Sequence, residues 1–127
     1  MNRPTHFEIH AENPERAIVF YTAVFGWNFQ KWAGPMPYWR VETGEGPGIN
    51  GGMVPRRGPA PVEGPPVNAF VNSIKVASCD ETVAKISANG GQIALPKMAL
   101  PSMGWLAYGK DTEGNIFGVM QDDATAK

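Results

Sequence analysis

Within the first ten residues, His6, Glu8 and His10 alternate with Phe7 and Ile9, so an extended strand would carry two imidazoles and a carboxylate on one face. Such a set can move protons near neutral pH, because an unperturbed imidazole titrates at about 6.5. It is also a donor set from which metal sites are built. One ion cannot hold both histidines, however. Four residues of strand separate them by roughly 13 Å, whereas ligand atoms lie about 2 Å from a shared metal. Cys79 is the single cysteine, which excludes an intrachain disulfide and fits a reducing compartment. It stands near a helix N-terminus, where a thiol can be activated; the alternative is an inert loop cysteine. No GxSxG elbow, GxxxxGK[ST] loop or CxxC pair occurs. Gly48-Ile49-Asn50-Gly51-Gly52 is glycine-rich, but no helix follows it to bind an anion, so a bulge or a close backbone approach explains it better.

The other chemistry on offer is that of an apolar pocket. If alternation holds near the C-terminus, Ile116, Gly118 and Met120 share the face of His6, while Phe117 and Val119 pack on a helix. Trp39, Trp105, Tyr38, Tyr108, Met98 and Met103 lie on neighbouring strands and loops, with Asn50 and Glu8 as polar handles. Apolar walls with few polar groups are what a small-ligand site needs. The candidate ligand-contacting residues are therefore His6, Glu8, Trp39, Asn50, Trp105, Gly118 and Met120. Strand aromatics also serve as ordinary core or interface residues, and that alternative stands beside this reading.

These residues belong to a chain of 127, long enough for one core. A hydrophobic content of 43% with 18% charged residues is that of a globular protein rather than a disordered one. The net charge of -1 leaves no surplus of Lys and Arg to neutralise phosphates, so a nucleic-acid partner is not expected. The opening MNRPTHFEIH has no apolar leader segment, and no stretch approaches the ~18 apolar residues of a membrane span. A soluble, cytoplasmic protein is expected.

Pro55 to Val67, PRRGPAPVEGPPV, can sustain neither a helix nor a central strand, and it divides the chain into near-equal halves. Before it, a strand over Thr5–His10 leads to Asn13-Pro14-Glu15, which reads as an N-cap, a first-turn proline and a first-turn acid. The helix that follows carries Ala17, Ile18, Tyr21 and Phe25 on its apolar stripe and stops at Gly26. Three strands are expected next, over Trp27–Trp32, Tyr38–Thr43 and Ile49–Val54. After the spacer the order recurs: a strand over Phe70–Val76, a helix from about Asp80 to Ala88, Gly90-Gly91, and strands over Gln92–Leu95, Trp105–Tyr108 and Ile116–Gln121. A constant offset of 65 lays Ile9 on Ile74, Ile18 on Val83, Tyr21 on Ile86 and Gly26 on Gly91, which favours duplication. The expected fold class is α+β, with two tandem βαβββ modules, about 5–54 and 68–121, in a single domain with the 55–67 linker between them.

His6-Phe7-Glu8-Ile9, Pro14-Glu15-Arg16-Ala17, Phe20-Tyr21 and Val24-Phe25-Gly26-Trp27 together resemble the opening of vicinal oxygen chelate proteins, the glyoxalase, bleomycin-resistance and extradiol dioxygenase superfamily. Ala88-Asn89-Gly90-Gly91, Leu95-Pro96 and Asp111-Thr112-Glu113-Gly114-Asn115-Ile116 resemble the matching segments of that family's second half. The resemblance implies curved sheets around a cleft, usually in a homodimer. It implies no single reaction, since members range from metal-dependent isomerases, transferases and ring-cleaving dioxygenases to metal-free proteins that sequester a drug.

The family's metal chemistry requires three or four His, Glu or Gln ligands from the first and last strands of each module. His6 matches the first of these positions. The offset places Val71 at its partner in the second half, and the last-strand positions fall on Gly118 and, by the same offset, Met53. An aliphatic side chain and a glycine donate nothing, and a thioether is a poor ligand beside oxygen donors. A metal-free domain that binds a small, partly aromatic or apolar molecule is the leading expectation, with no cofactor. A metal-dependent lyase, isomerase or dioxygenase, with His6 and Glu8 as acid-base groups or a site completed across a dimer, is the alternative. A non-catalytic interaction module is the third.

Overall fold

The computed structural model describes residues 2–127. The chain separates into two compact units, the first ending at Ala60 and the second starting at Pro61. In the first, β1 (Phe7–Ala11) is followed by α1 (Pro14–Phe25), β2 (Asn28–Lys31), β3 (Trp39–Glu42) and β4 (Gly51–Pro55). The second contains β5 (Ser73–Lys75), α2 (Cys79–Ala88), β6 (Gln92–Leu100), β7 (Gly104–Lys110) and β8 (Ile116–Asp122). Each unit forms one four-stranded sheet, ordered β1-β4-β3-β2 and β5-β8-β7-β6, in which only the first and last strands of the module pair in parallel. The expected pair of βαβββ modules and the α+β class are what the structure contains.

The start of α1 follows from its first residues. The Asn13 side chain accepts a hydrogen bond from the Arg16 amide at 3.1 Å, Pro14 opens the helix where no amide partner is needed, and Gly26 closes it at φ 72. The buried stripe is Ala17, Phe20, Tyr21 and Val24, so the helix is turned slightly from the expected Ile18 and Phe25 edge. Tyr21 stacks on Trp27 at 5.2 Å with an interplanar angle of 2°, and Trp27 also meets Phe25 at 5.1 Å and Phe7 at 5.6 Å. The Phe25-Gly26-Trp27 sequence is thus a packing device. The glycine reverses the chain so that the indole returns onto the helix's own tyrosine.

In the second unit α2 begins one residue before the expected Asp80. Ser78 caps it by accepting from the Glu81 amide at 3.1 Å, and this Ser-x-x-Glu spacing is visible in the sequence. The left-handed residue after this helix is Gly90, at φ 89, not the Gly91 that the offset aligns with Gly26. Before β8, Asp111 is almost fully buried and its Oδ1 accepts from the amides of Glu113 and Asn115, each at 2.8 Å. Gly114, at φ 81, completes that turn.

Every strand shifts from expectation at one or both ends, and three of the shifts have a visible cause. Pro55 belongs to β4, and residues 56–72 contain neither helix nor strand. Phe70 is fully exposed, so the fifth strand shrinks to Ser73–Lys75, the length over which β8 offers it a parallel partner. Strand β6 runs on through Pro96 to Leu100 because it is the outer strand of its sheet, where an absent amide costs no ladder bond and bulges take up the misfit.

Candidate functional site

Each sheet has a face that carries its helix and a face that does not. In the first unit the paired rows Phe7–Gly51–Val41–Phe29 and Ile9–Met53–Trp39–Lys31 carry the helix-side core, with Val41 and Met53 essentially inaccessible. Between them lies the open row Glu8–Gly52–Arg40–Gln30. Glu8 and His10 meet there, Oε1 to Nε2 at 2.7 Å, with about half of each side chain exposed. Arg40 Nη2 approaches Glu42 Oε1 at 3.6 Å on the same face. This face is polar and carries a paired acid and imidazole. His6 precedes β1 by one residue and is exposed.

Two expected site residues of this unit point elsewhere. Register pairs Trp39 with Met53 and Lys31, which puts the indole on the helix-side row, where Lys31 Nζ stands 5.4 Å from its ring. Trp39 therefore does not share a face with Glu8. Asn50 lies in the loop before β4, and its Oδ1 accepts from the Thr43 amide at 2.9 Å and the Thr43 hydroxyl at 3.3 Å. Its carbonyl ties the β3–β4 loop together.

The second unit has the opposite character. Ile74, Ala107, Phe117 and Val119 lie on the helix side, where Ile86 of α2 is fully buried; Phe117 and Val119 take this side as expected. The open rows are Ser73–Gly118–Tyr108–Leu95 and Lys75–Met120–Leu106–Met98, flanked by Ile116 and Leu100. None of the apolar residues among them is buried, and Met98 is 43% exposed. Gly118 and Met120 thus share one apolar, incompletely covered face. Trp105 does not join them. Its row contains Gln121, which accepts from the Cys79 amide at the start of α2, and its indole donates to Asp123 at 3.0 Å while Lys97 lies 4.4 Å from the ring.

The glycines on the two open faces hold a feature that sequence reasoning missed. A Cβ on Gly118 would stand 2.9 Å from the Tyr108 ring and 3.1 Å from the Ser73 hydroxyl; on Gly52 it would run into the Tyr38 ring and hydroxyl. A tyrosine therefore lies across each glycine. Register also corrects the repeat. Glu8 and Ser73 correspond at the offset of 65 and pair with Gly52 and Gly118, so the module-one counterpart of Gly118 is Gly52 rather than Met53. The last strands are displaced by one residue relative to the first.

The donors present do not fit the family's metal ion. The two last-strand positions are glycines, Val71 stands at the position matching His6, and among the described residues no three His, Cys, Asp or Glu side chains converge. Cys79 is fully buried at the first turn of α2, and that burial pushes its thiol up from the usual range against the opposing pull of Lys97. Burial favours the neutral thiol here, which fits an inert packing cysteine rather than an activated one. Among the described residues no helix is long and apolar enough to cross a membrane.

The family model for the N-terminal part of bleomycin-resistance-like proteins matches residues 3–44, the segment from before β1 to the end of β3. A glyoxylase-like domain-containing protein of Didymella fabae is 32% identical over 115 residues, 88% of this chain and 88% of that protein. The chain belongs to the glyoxalase/bleomycin-resistance superfamily. A second relative within it, CFP32 of Mycobacterium bovis, which carries a glyoxylase name, is 31% identical over 116 residues, or 90% of this chain. The chain spans only 42% of the length of CFP32. Among solved structures, a glyoxylase/bleomycin resistance protein/dioxygenase domain from Frankia sp. EAN1pec superposes with a TM-score of 0.73 at 17% identity, covering 97% of this chain and 99% of that one. That likeness speaks for the superfamily's fold; its members' chemistry must be argued from the faces above.

Proposed function

We propose that this superfamily member binds a small, partly aromatic or apolar molecule on its open sheet faces, without a resident metal. The observation that carries the reading is the open face of the second unit. Leu95, Met98, Leu106, Tyr108 and Met120 form a contiguous apolar surface there that the fold leaves incompletely covered, although the other side of the same sheet is packed shut. Apolar surface held partly in water loses roughly 25 cal/mol per Å² that an apolar ligand recovers on covering it. Methionines adapt to irregular ligand shapes, and the Ser73 and Tyr108 hydroxyls supply sparse polar contacts. The test is calorimetric titration of the full chain with bleomycin and with an anilinonaphthalene sulfonate dye, beside Leu106→Asp. Saturable binding of either probe, weakened roughly tenfold or more by the substitution, supports the site. Absence of binding by both, or binding indifferent to Leu106→Asp, refutes it.

A second reading has one observation behind it, the Glu8–His10 pair at 2.7 Å on the first unit's open face. An imidazole held by a carboxylate is the elementary unit of general acid-base catalysis, and it would make the protein a lyase or isomerase acting on the bound molecule. Loss of turnover of an identified substrate in both Glu8→Gln and His10→Gln separates that reading from simple binding. A cytoplasmic homodimer is the form in which we expect the protein to work, and light scattering on the purified chain decides its oligomeric state.

A further inference from the structure

Gly52 and Gly118 occupy the same position of the two modules. Each sits on the last strand, opposite the residue that the offset of 65 equates, Glu8 in one and Ser73 in the other. Both have their Cβ space taken by a tyrosine, Tyr38 over Gly52 and Tyr108 over Gly118. The two rings arrive differently. Tyr108 is the cross-strand partner of Gly118 on β7, whereas Tyr38 lies just before β3 and leans in from one residue beyond the pairing. The same space is thus filled twice by independent routes, which a single chance substitution does not explain.

We infer that these positions are closed to metal ligands as well as lacking them. A carboxylate restored to either glycine would begin at a Cβ within 3 Å of a tyrosine, the hydroxyl end of Tyr38 or the ring edge of Tyr108, so it could reach outward from the face only once that ring moved. Protein ligands must bring their donor atoms to about 2 Å from an ion, so a tyrosine standing where the donor would pass has to be displaced first. In the first unit the removal of one ring would leave His6, Glu8 and a carboxylate at position 52 within one stretch of open face. The inference concerns the face of the proposed ligand site, yet a chain that bound no small molecule would leave its test unaffected.

The test uses the full chain, stripped with chelator and titrated calorimetrically with nickel chloride alone. Wild type and Gly52→Glu should show no saturable uptake below about 1 mM, and Gly52→Glu/Tyr38→Ala should bind at least roughly tenfold more tightly, with the gain lost on adding His6→Ala. Equal uptake, or equal lack of it, in the single and double variants overturns the inference, because the ring would then make no difference. So does one equivalent of nickel on wild type. Should Gly52→Glu fail to fold, urea denaturation of Gly118→Ala, Tyr108→Ala and the pair carries the question. The added methyl should lower stability with Tyr108 present and cost markedly less without it, whereas additive effects refute closure.

Discussion

Asp123 shows how much of this molecule rests on single side chains. Its carboxylate accepts from the Thr125 hydroxyl at 2.6 Å, the Trp105 indole at 3.0 Å and the Thr125 amide at 2.9 Å, and these bonds, the Thr125 hydroxyl foremost, hold its carboxyl below the usual carboxylate range. A carboxyl depressed in the folded state contributes stability above its unfolded value, near ~3.9, and loses it as pH falls through the lower folded value. Wild type should therefore be more stable than Asp123→Asn at pH 7, and the gap should close as the solution is acidified below pH ~4. Urea denaturation of both proteins across that range, followed by tryptophan emission, checks it; a gap independent of pH contradicts the assignment. Residue identity alone could not place Trp105 here. Its type suits a ligand wall equally well, and only its pairing with Gln121 turns it to the helix side.

At the level of elements, what was legible was local. Asn13, Pro14 and Gly26 mark the ends of α1 because a cap, a proline without an amide and a left-handed glycine each act within a few residues. The alternation of Phe117, Gly118 and Val119 assigned the faces of β8 for the same reason. What depends on distant partners was not legible. The one-residue displacement between first and last strands, the face of Trp39 and the reach of β6 past Pro96 are all set by register with other strands. Because α1 closes the first unit's core, its deletions should be costly and graded. Asn13→Ala should lower stability by about 1 kcal/mol through the lost cap bond. Phe20→Ala, which empties a side chain only 1% exposed, should lower it by about 3–5 kcal/mol. Chemical denaturation measures both, and equal losses would deny the ranking of core over cap.

On the scale of the whole molecule, the two modules repeat their topology while differing in the chemistry of their open faces. The first offers Glu8, His10 and Arg40, the second Leu106, Met98 and Met120. The two modules share a scaffold and differ in their surfaces, so backbone likeness to other members says little about what is bound. Between the modules, residues 57–70 are all exposed and lack regular structure. Limited digestion with a glutamate-specific protease should accordingly cut first after Glu63, yielding two fragments of similar size; early cleavage within either module instead would show that the ordered units are less protected than their ladders indicate. The proline within β6 has a consequence of another kind. An outer strand displays unpaired amides and carbonyls to which another chain can add, and β6 is nine residues long with an apolar stretch around it. Pro96 removes one donor midway and its neighbouring bulges bend the template, so the edge is a poor seed for intermolecular sheet growth. Pro96 thereby lowers the tendency of this edge to join one copy of the chain to another.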